Sequence, residues 1–312
     1  MRHLQQLKYI DAVARIGSIR GAADTLAITS TALNRRILAV EEDLGTPIFE
    51  RLPNGVRLSV AGEVFIQYVR QQLSDMQRVQ SQIADLSGER RGQISVVCGQ
   101  AMMLQFLPAL VSKYRAAHPG VSFNIFVGGR QLAVSSLIDF SADLALIFEP
   151  EPNTGVQVLL DVPQQLHALM ATDHPLAKQG VVRLSDCAQF PLALPSQRAG
   201  IRHILTLAAA RRTLPLHVAI ESDNAGFLLS CIRSEPMIAF QIPMAFSAKG
   251  PGEGICAVPI HLNDIALGSL QLAQQRGRTL PVAAARFASS ISDGLTTLID
   301  QWNEGKSKER SE

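Results

Sequence analysis

Apolar residues recur at helical spacing in two short runs between residues 19 and 38, and a tight break separates the runs. Their apolar positions are Ala22, Ala23 and Leu26, then Ala32, Leu33, Ile37 and Val40. Spacings of three and four residues place such positions on one face of a helix. Thr29 or Ser30 can cap the second helix, because a short hydroxyl side chain accepts hydrogen bonds from otherwise unpaired backbone amides. The pattern predicts two short helices that pack on each other across a turn.

The remaining positions of the second helix are polar and partly basic. They are Thr29, Ser30, Thr31, Asn34, Arg35 and Arg36, and Ser18 lies just before the first helix. Hydroxyls and helix-start amides bind phosphate, whereas Asn and Arg can pair with base edges in the DNA major groove. A DNA-reading helix-turn-helix is one interpretation, and a solvated face on an ordinary helical pair is the other. Whether the arginines read guanine or hold phosphate stays open at this stage.

A short hairpin, or wing, is predicted directly after these helices. Gly45 can end the second helix in the left-handed conformation. Pro53-Asn54-Gly55 has strong turn chemistry between apolar flanks. Arg51 and Arg57 belong to this hairpin, and we expect both to lie over the phosphate backbone beside the groove. The wing therefore favours the DNA-binding interpretation.

The proline-free segment 59–87 carries an apolar stripe at spacings of three, four or seven residues. Its members are Phe65, Val69, Met76, Val79, Ile83 and Leu86, with Gln72 at the one missing position. Such a stripe is typical of a helix that pairs with a partner helix. The alternative is packing on the wing domain of the same chain, which we expect for the first turns. A domain this small cannot cover the whole helix, so pairing with a second copy is favoured, and residues 87–92 are expected to form a polar hinge.

Beyond residue 92, short apolar runs alternate with amphipathic segments. Predicted strands cover residues 93–99, 121–127, 142–148, 165–172, 190–194, 216–221, 237–241 and 266–274. Predicted helices cover residues 104–117, 131–140, 200–212, 226–233 and 281–302. The succession predicts parallel sheet covered by helices, in two α/β subdomains joined by two crossovers. The charged tail 303–312 is expected to be disordered.

The order of these motifs resembles the LysR-type transcriptional regulators. The matching segments are Leu7-Lys8-Tyr9-Ile10, Gly17-Ser18, Ala22-Ala23-Asp24-Thr25-Leu26, Thr29-Ser30-Thr31-Ala32-Leu33-Asn34, Val40-Glu41-Glu42-Asp43-Leu44-Gly45, Ile48-Phe49-Glu50-Arg51 and Leu58-Ser59-Val60-Ala61-Gly62-Glu63. Each segment alone is a weak signal, but their order and spacing together are highly specific.

The resemblance implies an α+β multidomain fold. It consists of an N-terminal winged helix-turn-helix, a long linker helix and a C-terminal α/β effector domain of two subdomains, which is similar to type 2 periplasmic binding proteins. The expected boundaries are 1–60, 61–90 and 91–302, with subdomain I at about 91–162 and 265–302 and subdomain II at about 163–264. The implied partners are double-stranded promoter DNA, a small-molecule effector and a second copy in a homodimer or homotetramer. RNA polymerase is a candidate further partner.

The resemblance also places an effector in the cleft between the subdomains, at the carboxyl ends of the strands. The residues at matching positions are Gln100, Ala101, Met102, Gly128, Phe148, Ser196, Arg198, Asn224 and Gln241. Ser196 and Arg198 would suit an organic anion, although each position could be an ordinary loop residue. The chain departs from the family at Thr29-Ser30, Asn34 and Arg36, which leaves the recognised bases open. Ser234-Glu235-Pro236 replaces a common Gly-x-Gly turn at one edge of the cleft.

Composition agrees with a regulator that remains in the cytoplasm. The chain has 312 residues, 47% of them hydrophobic, which is enough for two or three domains. We find neither a secretory signal nor an apolar run near the roughly 20 residues that span a bilayer, and we expect no membrane partner. The net charge is +2, and residues 1–60 hold 8 Lys and Arg against 6 Asp and Glu. The positive charge of the DNA-binding segment must therefore be local.

Other functional classes fit the sequence less well. The four cysteines are far apart and show no metal-binding spacing, so buried reduced thiols are expected and no cofactor or metal is predicted. Catalytic motifs such as a nucleophile elbow are missing from the sequence. The main rival is an exported solute-binding protein, which would need a signal peptide and no reading head. An enzyme built on the binding-protein fold is a more distant alternative.

Overall fold

The computed structural model describes residues 2–86, 92–246 and 252–309. The chain divides into two compact units, residues 1–83 and 84–312. Each unit buries a hydrophobic core of its own. The division falls near the end of the long helix that the sequence predicts as a linker.

The first unit contains three helices, a two-stranded hairpin and the start of a long helix. Its elements are α1 (Arg2–Ile16), α2 (Ile19–Thr25), α3 (Ser30–Leu44), β1 (Phe49–Leu52), β2 (Gly55–Leu58) and α4 (Val60–Leu86). The predicted helical pair is confirmed, since Ala22, Ala23, Leu33 and Ile37 all lie in the core of the unit. Strands β1 and β2 pair antiparallel, as the turn chemistry predicts.

The ends of α3 are those that the sequence predicts. Thr29 is the N-cap, and its side-chain oxygen accepts from the amide of Ala32 at 3.2 Å. Gly45 ends the helix in the left-handed region with a φ of +69°. This cap turns the chain toward the hairpin because a glycine adopts that conformation without a Cβ penalty.

Two glycines allow the hairpin and α4 to approach their neighbours closely. A Cβ on Gly55, whose φ is +143°, would lie 2.3 Å from the carbonyl oxygen of Gly17. The amide of Val56 donates to the same oxygen at 2.8 Å. A Cβ on Gly62 would lie 2.0 Å from the carbonyl oxygen of Ile48. The hairpin is thus fixed against the α1–α2 turn and the start of α4.

The first turns of α4 pack on their own unit, as the sequence predicts. Ile66 and Val69 are buried in the core, and Phe65 packs against it. Farther along the helix, Val79 and Ile83 are 39% and 61% exposed. The hinge predicted for residues 87–92 lies almost wholly outside the described residues, and β3 already begins at its last position, Gly92.

The second unit contains two subdomains. In chain order its elements are β3 (Gly92–Cys98), α5 (Gln100–Leu104), α6 (Phe106–Ala117), β4 (Val121–Val127), α7 (Arg130–Ile138), β5 (Leu144–Phe148), β6 (Val156–Gln164), β7 (His167–Ala171), α8 (Leu184–Cys187), β8 (Leu192–Leu194), α9 (Gly200–Arg211), β9 (Val218–Glu221), α10 (Ala225–Ser234), β10 (Ala239–Gln241), a 3-10 helix (Pro243–Ala245), β11 (Ile255–Pro259), β12 (Gly268–Gln275) and α11 (Val282–Glu309). Subdomain I has a five-stranded sheet in the order β4-β3-β5-β12-β6. Subdomain II has a three-stranded sheet, β10-β7-β11, and the pair β8-β9.

The prediction of parallel sheet is correct only in part. Strand β3 pairs parallel with β4 and β5, and β8 pairs parallel with β9. In contrast, β12 runs antiparallel to β5 and β6, and β7 runs antiparallel to β10 and β11. The antiparallel strands arise because the chain leaves subdomain I through β6 and returns through β12. Neither β6 nor β11 was predicted from the sequence.

Two predicted helices also differ from the structure. The helix predicted at 104–117 begins two residues later, as α6 (Phe106–Ala117), and a separate short helix, α5, which was not predicted, ends at Leu104. Pro108 lies in the first turn of α6, where its missing amide costs no hydrogen bond, and this position explains why a new helix begins at Phe106. The tail was predicted to be disordered from residue 303, but α11 continues to Glu309, and residues 310–312 lie outside the described part.

A cluster of charged side chains binds the segment between β11 and β12 to the rest of subdomain II. The side chain of Asp264 is only 2% exposed and accepts from Arg183 at 2.7 and 2.8 Å and from the Leu184 amide at 2.9 Å. Arg212 lies 3.2 Å from the same carboxylate. The hydrogen bond from Arg183 lowers the pKa of Asp264 from its ordinary value. The carboxylate therefore stays ionised and joins three separate segments of the fold.

Candidate functional site

The outward face of α3 is formed by residues at helical spacing from one another. Leu33 and Ile37 are buried, so the opposite side of the helix presents Thr31, Arg35 and Leu38. Leu38 is 46% exposed, although it is a large apolar residue. An exposed aliphatic side chain on such a face can contact the methyl group of thymine. Leu38 was not predicted as a contact residue from the sequence. It lies three residues after Arg35 and seven after Thr31, and this helical spacing could have placed it on the same face.

The two edges of this face are held by neighbouring elements. On one edge the Arg51 guanidinium, from β1, donates to the side-chain oxygen of Asn34 at 2.8 Å. On the other, the Arg36 guanidinium lies 5.0 Å from the ring centroid of Tyr9 and 3.5 Å from its hydroxyl. A cation over an aromatic ring is stabilised by the ring quadrupole. Arg36 is thus directed toward α1, and Arg35 is the arginine of the pair that the outward face presents.

Three other residues predicted to contact DNA bind nearby groups of their own unit, namely Ser18, Thr29 and Arg57. Ser18 caps α2, and its side-chain oxygen accepts from the Gly21 amide at 3.2 Å. Thr29 caps α3, and Ser30 begins that helix. Arg57 forms an ion pair with Glu50 across the hairpin at 2.7 Å. Because Glu50 offsets its charge, Arg57 has less capacity for phosphate than Arg51.

One acidic residue holds the hairpin in register with α3. The Glu41 carboxylate accepts from the amides of Ile48 and Phe49 at 2.7 and 3.0 Å. From the sequence, Glu41 was named only as part of a segment that matches the family. The structure adds a role for Glu41, since it fixes the start of β1 and thereby the wing.

The predicted effector residues surround the boundary between the two subdomains. Helix α5, which begins with Gln100, Ala101 and Met102, packs against the 3-10 helix 243–245 and against α10. Ala101 and Met102 are buried, and they share one continuous core with residues of both subdomains. Asn224 caps α10 by accepting from the Phe227 amide at 2.9 Å. Gln241 ends β10 immediately before the 3-10 helix, and its own side-chain oxygen accepts from the Ile242 amide.

Direct contacts close one end of this boundary. The amide of Arg130 donates to the carbonyl of Arg198 at 3.1 Å, and its guanidinium donates to the carbonyl of Glu149. A Cβ on Gly200 would lie 1.9 Å from the carbonyl oxygen of Phe148. The sequence predicted a cleft here, whereas the structure shows the segments of the two subdomains in contact. Gly128 packs against Val97 in the same region.

Ser196 is the predicted effector residue with an unused polar atom. Its amide donates to the Asp223 carboxylate at 3.1 Å, but its hydroxyl oxygen is buried and meets no hydrogen-bond partner in the part of the chain that the structure describes. Buried polar atoms usually have partners, so an orphaned hydroxyl needs an explanation such as a ligand. Nearby, Arg202 is paired with Glu221 at 3.2 Å. Arg198 is exposed, and among the described residues its guanidinium forms no ion pair, unlike that of Arg202.

The thiols of subdomain cores are not poised for reaction. Cys98 and Cys187 are buried, and burial raises the pKa of each thiol to about 12. Both are therefore protonated at neutral pH, which is the inert form.

Among the described residues no group of three or more His, Cys, Asp or Glu side chains could hold a metal ion. None of the described helices is long and apolar enough to span a membrane.

Comparisons with known proteins define the class. Residues 4–63 match the bacterial regulatory helix-turn-helix protein family, lysR type, and residues 87–296 match the LysR substrate binding domain. The chain therefore belongs to the LysR family. It is a DNA-binding transcriptional regulator with an effector-binding domain, and it is not an enzyme.

Relatives of the chain are themselves transcriptional regulators. It is 24% identical over 98% of its length, and 94% of the relative's, to an uncharacterized regulator, YbhD, of Escherichia coli. It is 27% identical to a RuBisCO operon transcriptional regulator of Allochromatium vinosum, over 74% and 76% of the two chains. Full-length OxyR from Pseudomonas aeruginosa has a similar fold, with a TM-score of 0.69, 18% identity and 94% coverage of both chains. CbnR in complex with its target DNA has a TM-score of 0.59 and 19% identity, with coverage of 93% and 99%.

Proposed function

We propose that this regulator reads promoter DNA with the outward face of α3, flanked by Arg51 of the wing, and that an effector at the subdomain boundary controls it. The DNA-reading part of the proposal rests on Arg35, because its side chain is exposed on this face. The contacts of Arg51 with Asn34 and of Arg36 with Tyr9 hold the two edges of the face on either side of it. A regulator of promoters works in the compartment that contains the DNA. A cytoplasmic location is therefore part of the proposal.

The effector part of the proposal rests on the orphaned hydroxyl of Ser196. A ligand oxygen could accept from this hydroxyl, and the guanidinium of Arg198 could neutralise a carboxylate. Met102 and Phe148, which are both buried in the core of this unit, are proposed to form its apolar wall. This combination suits a small organic anion. Gln100, Ala101, Gly128, Asn224 and Gln241 are proposed to line the rest of the site.

Replacing Ser196 with tyrosine should abolish the effector response while leaving DNA binding without effector nearly unchanged. The larger side chain would fill the space beside the orphaned hydroxyl, whereas the reading head belongs to the other unit. Organic acids would first be screened by thermal shift on the full chain, because a ligand that binds only the folded state raises its apparent stability. We expect effector and DNA binding to be coupled by about 1–3 kcal/mol.

The control for this experiment is Ser289→Tyr, which adds the same bulk to an exposed position of α11. It should respond to effector as the wild type does. Unchanged effector affinity in Ser196→Tyr would mean that Ser196 is only a loop residue and that the effector binds elsewhere.

We also propose that two chains associate through α4. Large apolar residues of this helix remain exposed, namely Val60, Val64, Tyr68, Val79 and Ile83. A set of exposed apolar residues along one helix is typical of an interaction surface.

Replacing Val79 and Ile83 together with glutamate should reduce self-association and the cooperative binding of paired half-sites. Association would have to desolvate both carboxylates, which opposes it. Gln77→Glu with Gln80→Glu adds the same charge beside the stripe and serves as the control. Sedimentation velocity of both variants gives the assembly state. A Val79 and Ile83 variant that sediments like the control, with cooperative binding intact, would contradict pairing through this stripe.

A further inference from the structure

The two faces of the sheet in subdomain I are covered very differently. Alternate residues of a strand point to opposite faces. Leu144, Leu146 and Leu272 face the large core, which includes residues of α6 and α11. Ala145, Ile147 and Ala273 face the other way and share a small core with α7. That second face is therefore covered by the nine residues of α7, and much of its packing comes from alanine.

This sparse cover leaves a cavity of about 530 Å³ between α7 and strands β5, β6 and β12. Its apolar lining includes Val134 and Leu137 of α7 and Val158 of β6. Ligand sites for small molecules usually have volumes of roughly 300–1,000 Å³ and an apolar lining with a few polar groups. The cavity is therefore of the right size and character for a small molecule.

Arg276 gives the rim of the cavity a fixed positive charge. Its guanidinium donates to the carbonyls of Thr154 and Val156 at 2.6 and 3.1 Å, which sets its orientation. No carboxylate forms an ion pair with it among the described residues. Glu151 is also on the rim, but it is exposed on the loop 149–155, and its side chain forms no hydrogen bond or ion pair with the other described residues. An anion could therefore bind Arg276 while the Glu151 side chain turns to solvent.

The cavity is also next to the segments that close the subdomain boundary. Helix α7 lines it, and the first residue of that helix, Arg130, contacts Arg198 and Glu149. Pro150 and Glu151, which follow Glu149 in the chain, form part of its rim. A molecule in this cavity would contact both elements that hold the boundary closed.

We propose that this cavity is a second small-molecule site, separate from the site at Ser196, and that it binds a compact apolar body carrying a carboxylate or sulfonate. The apolar part would lie against Val134 and Val158, and the anionic group would accept from Arg276. Arginine suits this role because its planar guanidinium can donate two parallel hydrogen bonds to such a group.

The test uses two probes of the same shape on the full chain: naphthalene-1-sulfonate, which is anionic, and 1-naphthalenemethanol, which is neutral. Isothermal titration calorimetry should show that the sulfonate binds the wild type about tenfold more tightly than the alcohol, as expected for a hydrogen bond to a charged group. Arg276→Gln should remove this preference while retaining weak binding of both probes. Val134→Trp should abolish both, because Val134 is only partly buried and a larger ring there fills the cavity. Glu151→Gln should tighten binding of the sulfonate.

Three control variants separate this site from other surfaces. Val181→Trp and Arg211→Gln alter exposed residues of subdomain II and should bind both probes like the wild type. Ser196→Tyr blocks the proposed effector site and should also leave probe binding unchanged, so the two proposals can fail independently. The proposal is overturned if the wild type does not bind the sulfonate saturably. It is equally overturned if Val134→Trp still binds or if Arg276→Gln keeps the preference for the anion.

Discussion

Replacing Arg35 with alanine is expected to weaken operator binding by about 1–3 kcal/mol for each protomer, the range for loss of a bidentate arginine–guanine contact. Arg35 is exposed on the outward face of α3, between Thr31 and Leu38. Its neighbour Arg36 is engaged with Tyr9. Arg36→Ala should therefore reduce affinity less than Arg35→Ala.

Fluorescence anisotropy with operator DNA at several salt concentrations would measure this effect. Arg35→Lys keeps the charge but removes the bidentate geometry, so it separates base reading from a phosphate contact. Loss of a phosphate contact alone would lower the salt slope by about 1 and affect all sequences alike. Arg115→Ala, an exposed arginine in the second unit, is the matched control. Equal binding by Arg35→Ala and Arg115→Ala would show that α3 is not placed in the groove as we propose.

Replacing Asp143 with alanine is expected to lower the free energy of unfolding of the second unit by about 3–5 kcal/mol, as for a buried ion pair that loses one partner. The side chain of Arg278 is 2% exposed and donates to Asp143 at 2.6 Å. The Arg278 guanidinium also donates to the carbonyl of Ala142 and lies over the ring of Phe140. Asp143 also accepts from the Ser95 amide at 2.8 Å. The substitution leaves a buried guanidinium without its carboxylate.

Urea unfolding of the full chain would measure this loss, with circular dichroism following both units. Asp161→Ala is the control, since the carboxylate of Asp161 is exposed and accepts from the side chains of Ser269 and Gln271 at 2.7 and 3.0 Å. It should change stability by less than about 1 kcal/mol. A comparably small change in Asp143→Ala would mean that the ion pair contributes little net stability.

Features set by neighbours in sequence were predicted well. Helical spacing located α2 and α3, and short-range chemistry identified the caps at Thr29 and Gly45. These features depend on contacts within a few residues, so the pattern of side chains is sufficient to predict them. The hairpin followed from Pro53-Asn54-Gly55 for the same reason.

Features set by distant residues were not predicted. The pairing of Arg51 with Asn34 joins the wing to α3, and that of Arg36 with Tyr9 joins two helices. These contacts decide which arginine faces outward, and nothing in the local sequence indicates them. The antiparallel course of β12 depends likewise on how the chain returns from subdomain II.

Some features of the proposed effector site were predicted from the sequence and others were not. Family resemblance predicted Ser196 and Arg198 at the boundary between the subdomains, and the structure brings the backbone of Arg198 into contact with Arg130 there. The resemblance gave no sign that Arg130 and Gly200 close that boundary by backbone contacts. It also gave no sign of the cavity beside α7, which results from the small side chains on one face of the sheet.

The central claim is that this regulator occupies a specific DNA site through α3 and the wing. The most direct test is DNase footprinting of the full chain on the DNA upstream of its own gene, with Arg35→Ala in parallel. We predict a limited protected region with two half-sites about one helical turn, or a small multiple of it, apart, and its loss in Arg35→Ala at the same concentration. Uniform protection along the fragment, or an identical footprint for the variant, would contradict the claim.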